Sequence, residues 1–180
     1  MAAPRQMTAE TLNALKGWPQ MNAVDFEAKL DASVSTRLPP GSVVHVSASK
    51  TFLPGVGNVA RMPLYTFQAS DDPDVKNEGG DPATDKGAWI GINPTGVMMA
   101  LVAIGSYELV STNYNSAVSY APNDFLTSPT VAGGGVNAGQ LTKGTIKTNC
   151  LCGVVSRGVV DNGYGEDALA FWAYYLPPIA

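Results

Sequence analysis

Charge and histidine are scarce in this sequence. Asp, Glu, Lys and Arg make up 14% of the 180 residues, whereas about 25% is usual in globular domains. The 11 lysines and arginines are scattered singly, and the net charge is -4. Because nucleic-acid binding and adsorption to anionic membranes both need basic patches, we expect neither activity. Neutral surface is also easier to desolvate against another protein, which favours an assembly.

Long apolar runs and a cysteine framework are lacking as well. The longest apolar run, residues 97–104, is far shorter than the roughly 20 residues that cross a bilayer. The first residues lack the continuous apolar core of a secretory signal, so we expect synthesis in a cytoplasm. Cys150 and Cys152 would point to the same face of a strand, which disfavours a bond between them. We expect both thiols to be reduced and buried.

The residues that are abundant point to β structure. The sequence is 45% hydrophobic and has 19 glycines and 13 prolines. From residue 39 onward, short Val-rich and aromatic runs recur between turn residues at intervals of about 8–12 residues, which is typical of a sandwich or barrel. We therefore predict that residues 39–180 form a mainly β domain, a β-sandwich or a jelly-roll-like β-barrel. Residues 97–112 are predicted to form two strands or one long bent strand.

Residues 1–38 differ and are predicted to form an N-terminal arm with short helices. Thr8 can cap a first helix that Gly17 and Pro19 would end, and residues 22–35 hold a second helical pattern. Helices this short are marginal alone in water, so their apolar residues must dock on the β domain or on a neighbouring subunit. The aromatic, Pro-rich C-terminal end suits a similar role. The candidate partner contacts are Leu12, Leu15, Trp18, Val24, Phe26, Leu30, Trp172, Tyr175 and Pro178.

The patterns that could carry catalysis have plainer interpretations. A Cys–His or Ser–His nucleophile pair would need His45, but this residue lies in a Val-rich run and is better interpreted as a structural histidine on a strand face. Ser47 and Lys50 match S-x-x-K at a strand end, where residues three apart face opposite sides, and the partner motifs are missing. No motif places a carboxylate or amide beside His45. We therefore predict no enzymatic activity, no catalytic residue and no cofactor.

Two parts of the sequence hold residue types that can bind metal ions. The acidic loop at residues 71–85 carries six carboxylates, which could bind Ca²⁺, but their spacing departs from the EF-hand pattern. Cys150 and Cys152 lack the spacing of a zinc site, and His45 is the only further soft ligand. We predict a solvated loop and no metal site. Binding of Ca²⁺ by the acidic loop stays open.

Four segments carry a resemblance to a known class of proteins. They are Tyr-x-Pro-Asn-x-x-Leu at residues 120–126, Gly-x-Leu-Thr at 139–142, Gly-Val-Val-Ser-x-Gly at 153–158, and FQASDDPDV at 67–75. The chain thereby resembles small virion structural proteins of tailed bacteriophages, in particular capsid decoration (cement) proteins. The similarity extends over most of residues 38–177. The resemblance depends on the order of these four short segments along the chain and not on one diagnostic motif.

The resemblance implies a non-enzymatic protein on the capsid surface of a virion, made in the host cytoplasm. Such a protein binds the outside of the expanded head and stabilises contacts between major capsid protein subunits against the pressure of packaged DNA. The implied partners are the major capsid protein and further copies of the chain, in a trimer or dimer. A partly helical arm departs from a fully extended clasping arm. Two alternatives stay open: a phage tail or fibre component, and a carbohydrate-binding adhesin module that uses Trp89 and Trp172.

Overall fold

The computed structural model describes residues 12–15, 24–66, 70, 76–77, 96–102, 108–163 and 165–179. In these residues the chain forms strands and turns and no helix, so the prediction of a mainly β fold is confirmed. The strands in chain order are β1 (Leu12–Leu15), β2 (Val24–Lys29), β3 (Val43–Val46), β4 (Phe52–Pro54), β5 (Leu64–Thr66), β6 (Lys76–Asn77), β7 (Gly96–Val102), β8 (Glu108–Ser111), β9 (Phe125–Thr127), β10 (Thr142–Lys143), β11 (Leu151–Asp161) and β12 (Asp167–Leu176).

The strands form two antiparallel sheets. Sheet A has the order β1-β8-β12-β11-β9-β10, and sheet B has the order β2-β7-β5-β3-β4, with β6 also paired to β7. Residues 97–112 contribute β7 to sheet B and β8 to sheet A, which confirms the two-strand form of that prediction. The segment after β3 contains the short strand β4.

The hairpin of β11 and β12 forms the centre of sheet A. Its residues are mostly Val, Ala and aromatic side chains, which fit a pleated surface buried on one face. Gly153 lies where β11 approaches β12 closely: a Cβ there would come within 2.9 Å of the Phe171 ring. Gly158 follows a register shift in β11 and has a φ of 89°, which a glycine adopts without strain. Gly153 therefore allows the close approach of the two strands, and Gly158 allows the positive φ after the register shift.

Buried residues of both sheets pack into one main core. Sheet B contributes Val43 and Tyr65, and sheet A contributes Leu109, Leu126 and Phe171. The Tyr65 and Phe171 rings lie 5.5 Å apart between centroids and are tilted by 47°, a geometry that aromatic pairs favour. The Tyr65 hydroxyl donates a hydrogen bond to the carbonyl oxygen of Cys152 on β11. Tyr65 of sheet B thus has both its aromatic contact and its hydrogen-bond partner in sheet A.

A second, smaller core lies on the opposite face of β3. Val44, next to Val43 in the strand, packs there with Phe52 and Leu64. Leu30, Val34 and Leu38 from the chain before β3 belong to the same cluster. Because Val43 and Val44 are buried on opposite faces of β3, the strand begins with two consecutive apolar residues rather than with an alternation.

The prediction of two short helices in residues 1–38 is corrected where the structure describes this region. Leu12–Leu15 pairs with β8, and Val24–Lys29 pairs with β7. From residue 24 to 29, apolar and charged residues alternate with a period of two, which is a strand pattern. Pairing with β7 supplies the backbone hydrogen bonds that an isolated short helix could not sustain. Thr8, Gly17 and Pro19, which were to bound the first helix, lie outside the described residues.

Candidate functional site on the outer face of sheet A

Alternate residues of β12 face opposite environments. Phe171 and Ala173 are buried in the main core, whereas Trp172 is 43% exposed and Tyr174 is 40% exposed. This follows from the period of two in a strand, which sends neighbouring side chains to opposite faces of the sheet. Trp172 and Tyr174 therefore lie on the face of sheet A that turns away from the main core.

The strands beside β12 extend this face into a row. Trp172 is paired with Val154 of β11 and with Glu108 of β8, and Val154 is paired in turn with Phe125 of β9. Residues directly opposite each other on antiparallel strands project to the same side. Phe125 is 37% exposed and Val154 is half-buried. We call the surface made by Phe125, Val154, Trp172 and Tyr174 the aromatic face.

Charged groups lie within and beside this row. Glu108, which is paired with Trp172 on one side and with Leu15 of β1 on the other, accepts a hydrogen bond from Arg157 Nε at 2.9 Å and another from Ser156 Oγ at 2.6 Å. Asp124, next to Phe125 in the chain, is 2.7 Å from Lys143 Nζ, and this hydrogen bond lowers the pKa of the Asp124 carboxyl. Because Lys143 is paired with the buried Leu126, this second pair lies on the opposite side of the sheet edge from Phe125. Aromatic residues beside a charged pair match the usual composition of a protein interface.

The aromatic face covers only the second half of β12. Ala168 and Ala170 lie on the same side of the strand as Trp172, but they are fully buried together with Val110. The outward-facing residues of β12 therefore change from small and buried at its beginning to large and exposed at its end. Exposure of Trp172 and Tyr174 is thus a local feature and not a property of the whole sheet face.

The predicted partner contacts are distributed over several parts of the fold. Trp172 belongs to the aromatic face, whereas Tyr175 is half-buried and packs against the main core from the opposite side of β12. Pro178 is half-exposed beyond the end of the strand, and Leu30 is buried at 1% exposure. The backbones of Leu12 and Leu15 lie in β1 and those of Val24 and Phe26 lie in β2, and Trp18 and Trp89 lie outside the described residues. Of these candidates, Trp172 belongs to the aromatic face, and the backbone of Leu15 continues its row through the pairing with Glu108.

Three residues of the aromatic face, Phe125, Val154 and Tyr174, were not predicted. Tyr174 could have been found from the sequence, since it is two residues from Trp172 and would share its face on a strand. Tyr175, a predicted contact, is three residues from Trp172 and faces the other way. Phe125 joins the face only because β9 pairs with β11, and no local pattern in the sequence indicates that pairing.

His45 has the environment of a structural histidine, as predicted. It lies in β3 with 6% exposure, and its Nδ1 is 2.7 Å from the carbonyl oxygen of Gly55. Because a carbonyl only accepts hydrogen bonds, Nδ1 carries the proton and donates it. Burial lowers the pKa of the imidazole from 6.5, and the nearby charge of Arg61 lowers it further, although the Gly55 bond opposes both. The ring is therefore neutral near pH 7.

The two cysteines are free and buried, which confirms the sequence prediction. The Cys150 thiol donates to the carbonyl oxygen of Arg61 at 3.3 Å, and the Cys152 thiol lies 3.6 Å from the carbonyl oxygen of Leu126. Burial raises the pKa of both thiols above the ordinary value. Neither thiol is hydrogen-bonded to His45, so the described contacts do not form a cysteine–histidine pair.

Groups of metal ligands and membrane-spanning helices are absent from the described part of the chain. No three of its His, Cys, Asp and Glu residues lie together in a group that could hold a metal ion. None of its residues belongs to a helix long and apolar enough to pass through a bilayer. The acidic loop at residues 71–85 falls outside the described residues except for Lys76–Asn77, which forms β6. The prediction of a solvated loop without a metal site is therefore untested, and binding of Ca²⁺ by this loop stays open.

Comparison of the chain with protein-family models, with curated proteins and with solved structures found no match. The aromatic face and the resemblance in the sequence are therefore the two grounds for a functional proposal.

Proposed function

We propose that this chain is a non-enzymatic capsid decoration protein of a tailed bacteriophage. It binds the outer surface of the expanded head and stabilises contacts between major capsid protein subunits against the pressure of packaged DNA. The observation that carries the proposal is the aromatic face, where Phe125, Trp172 and Tyr174 are each more than a third exposed on one side of sheet A. Exposed Trp and Tyr with neighbouring charged pairs are the residues that anchor protein interfaces.

Low charge supports the same function. A protein that covers a lattice must desolvate much of its surface against its partners, and each ion that it buries costs free energy. With 14% charged residues, the chain has few ions to desolvate. Many copies on one shell also gain from multivalency, so each contact can be modest while the whole lattice is held firmly.

We further propose that the two sheets pack face to face as a β-sandwich. The support is the main core, in which Tyr65 of sheet B contacts Phe171 and hydrogen-bonds to Cys152 of sheet A. A sandwich keeps the outer faces of its sheets free for partners, while the inner faces supply stability. The protein then acts as a homo-oligomer, a trimer or dimer, on the capsid surface, with the aromatic face directed at the major capsid protein.

The proposal is tested by binding of purified protein to expanded capsids of the phage that encodes it. After sedimentation of the capsids, we expect the protein in the pellet at a saturable ratio to the major capsid protein. The Trp172→Ala variant should bind roughly tenfold or more weakly, since central interface aromatics are commonly worth about 2 kcal/mol or more. The matched control is Val131→Ala, which changes an exposed apolar residue in a loop away from the aromatic face. Absence of the wild-type protein from the pellet would refute the proposed function.

A second function is favoured by the same residues. Exposed Trp and Tyr rings on one sheet face can also stack on sugar rings, as a carbohydrate-binding adhesin module requires. Titration of the protein with a broad glycan panel distinguishes the two functions. Glycan binding that is lost in Trp172→Ala, without any binding to capsids, would replace the capsid proposal. If no glycan binds, this second function is excluded.

A further inference from the structure

A pocket of about 410 Å³ lies in sheet B, away from the aromatic face. It is formed by the end of β3, the start of β5 and the link between β4 and β5, and its lining is His45, Val46, Ala60, Arg61, Met62 and Leu64. Its volume is in the lower part of the range of about 300–1,000 Å³ that small-molecule sites occupy. Neither the predicted partner contacts nor the aromatic face includes any of these residues.

The wall of the pocket is mostly apolar and open to solvent. Val46 is 40% exposed and Met62 is 47% exposed, although both are large apolar side chains, and Leu64 closes the inner side. Burying such side chains against an apolar ligand is favourable by about 25 cal/mol per Å². The pocket therefore suits a ligand with an apolar body.

Arg61 supplies one positive charge that the described residues leave unpaired. Its side chain forms no hydrogen bond or ion pair with any of them. Its carbonyl oxygen accepts a hydrogen bond from the buried Cys150 thiol, and one guanidinium nitrogen lies near Gly57, whose backbone is hydrogen-bonded to Ser128 and Cys150. Arg61 is a lining residue and therefore places a positive charge at the pocket.

His45 sets the charge and the hydrogen-bonding character of the other polar wall. With its proton on Nδ1 and donated to Gly55, the neutral ring carries no charge and leaves Nε2 as its second polar atom. Among the described residues that line the pocket there is one positive charge, that of Arg61, and no carboxylate. A phosphate dianion would need more charge and more donors than this. A carboxylate, with a single negative charge and two oxygens, matches one guanidinium.

We propose that this pocket binds a small apolar carboxylic acid in its ionised form. The carboxylate pairs with the Arg61 guanidinium, and the apolar body contacts Val46, Met62 and Leu64. The site is separate from the aromatic face and does not depend on the function proposed above.

The test is a titration with isovalerate, a short branched carboxylate, followed by proton NMR near pH 7. His45 is the only histidine of the chain, so its ring C2 proton gives an unambiguous signal, and Met62→Leu identifies the Met62 methyl signal by its loss. We expect both signals to shift and to saturate at millimolar isovalerate. Absence of a saturable shift at tens of millimolar would overturn the proposal.

Two controls separate carboxylate recognition from apolar contact. Isovaleramide has the same shape without the charge and should bind roughly tenfold or more weakly, because a charge-assisted hydrogen bond is lost. Arg61→Gln should weaken isovalerate binding by a similar factor, whereas Arg61→Lys should retain part of it. The urea midpoint of each variant shows whether it is folded. Equal binding of isovalerate and isovaleramide, or undiminished binding by folded Arg61→Gln, would also overturn the proposal.

Discussion

Phe171 and Trp172 are adjacent aromatic residues with opposite surroundings. Phe171 is fully buried against Tyr65, whereas Trp172 is 43% exposed between Glu108 and Val154. The pleat of β12 alone separates them, since both belong to the same regular hairpin. The comparison shows how one strand can serve stability with one face and binding with the other. Substitutions at the two positions should therefore separate the two properties.

The largest expected effect is that of Phe171→Ala on stability. Removing a fully buried Phe leaves a cavity between the two sheets and should lower the free energy of unfolding by about 3–5 kcal/mol. Urea unfolding followed by fluorescence measures the loss. Trp172→Phe, which keeps an aromatic ring on the outer face, is the matched control and should change stability by less than about 1 kcal/mol. Similar losses in both variants would contradict the assignment of the two faces.

The second effect concerns the polar contact in the main core. Tyr65→Phe keeps the ring beside Phe171 but removes the hydroxyl that donates to the Cys152 carbonyl. A buried carbonyl left without its partner should cost about 1–2 kcal/mol in urea unfolding. The control is Tyr174→Phe, which removes a hydroxyl from the exposed side of β12 and should change stability by about 0.5 kcal/mol or less. An unchanged free energy of unfolding in Tyr65→Phe would mean that this contact does not stabilise the core.

The third prediction concerns Trp172, where we expect a larger effect on binding than on stability. Trp172→Ala should lower the free energy of unfolding by about 1 kcal/mol or less, because the side chain is only partly buried. The same variant should nevertheless lose most of its binding to expanded capsids, as argued above. Comparison of urea midpoints with pelleted fractions tests both halves at once. A strongly destabilised Trp172→Ala variant would show that this residue is part of the core instead.

The smallest effect is a pH dependence at His45. Because the pKa of His45 is lower in the folded protein than the 6.5 of the free side chain, the unfolded chain binds a proton more readily. The stabilisation is therefore fully present above pH 6.5 and is lost as pH falls through the folded pKa. Urea midpoints at about pH 7.5 and about pH 5.5 should show a decrease for the wild type. His45→Gln should show a smaller decrease, and equal decreases would contradict the prediction.

The sequence predicted those parts of the fold that depend on local patterns. The mainly β character of residues 39–180, the buried thiols of Cys150 and Cys152, and the structural role of His45 all follow from residue type and period. The helices predicted for residues 1–38 are wrong at residues 12–15 and 24–29, which form β1 and β2. At residues 24–29 the alternation already favours a strand, and pairing with β7, about 70 residues away along the chain, supplies contacts that a local pattern does not report.

The candidate site was predicted only in part for the same reason. Trp172 was identified because an aromatic residue near the end of the chain needs either a core or a partner. The aromatic face as a whole requires the pairing of β12 with β11 and of β11 with β9, which brings Phe125 beside Val154. The pocket at Arg61 and His45 likewise depends on how the link between β4 and β5 folds back against β3. No motif in the sequence indicates either arrangement.

The most direct test of the proposed function is the copy number of the protein in purified, DNA-filled phage particles. Quantitative mass spectrometry of the particles gives its ratio to the major capsid protein. A decoration protein of the capsid lattice should be present at one copy per capsid subunit, or at a simple fraction of that number. A handful of copies would contradict the account and indicate a tail or fibre component, and complete absence would remove the protein from the virion.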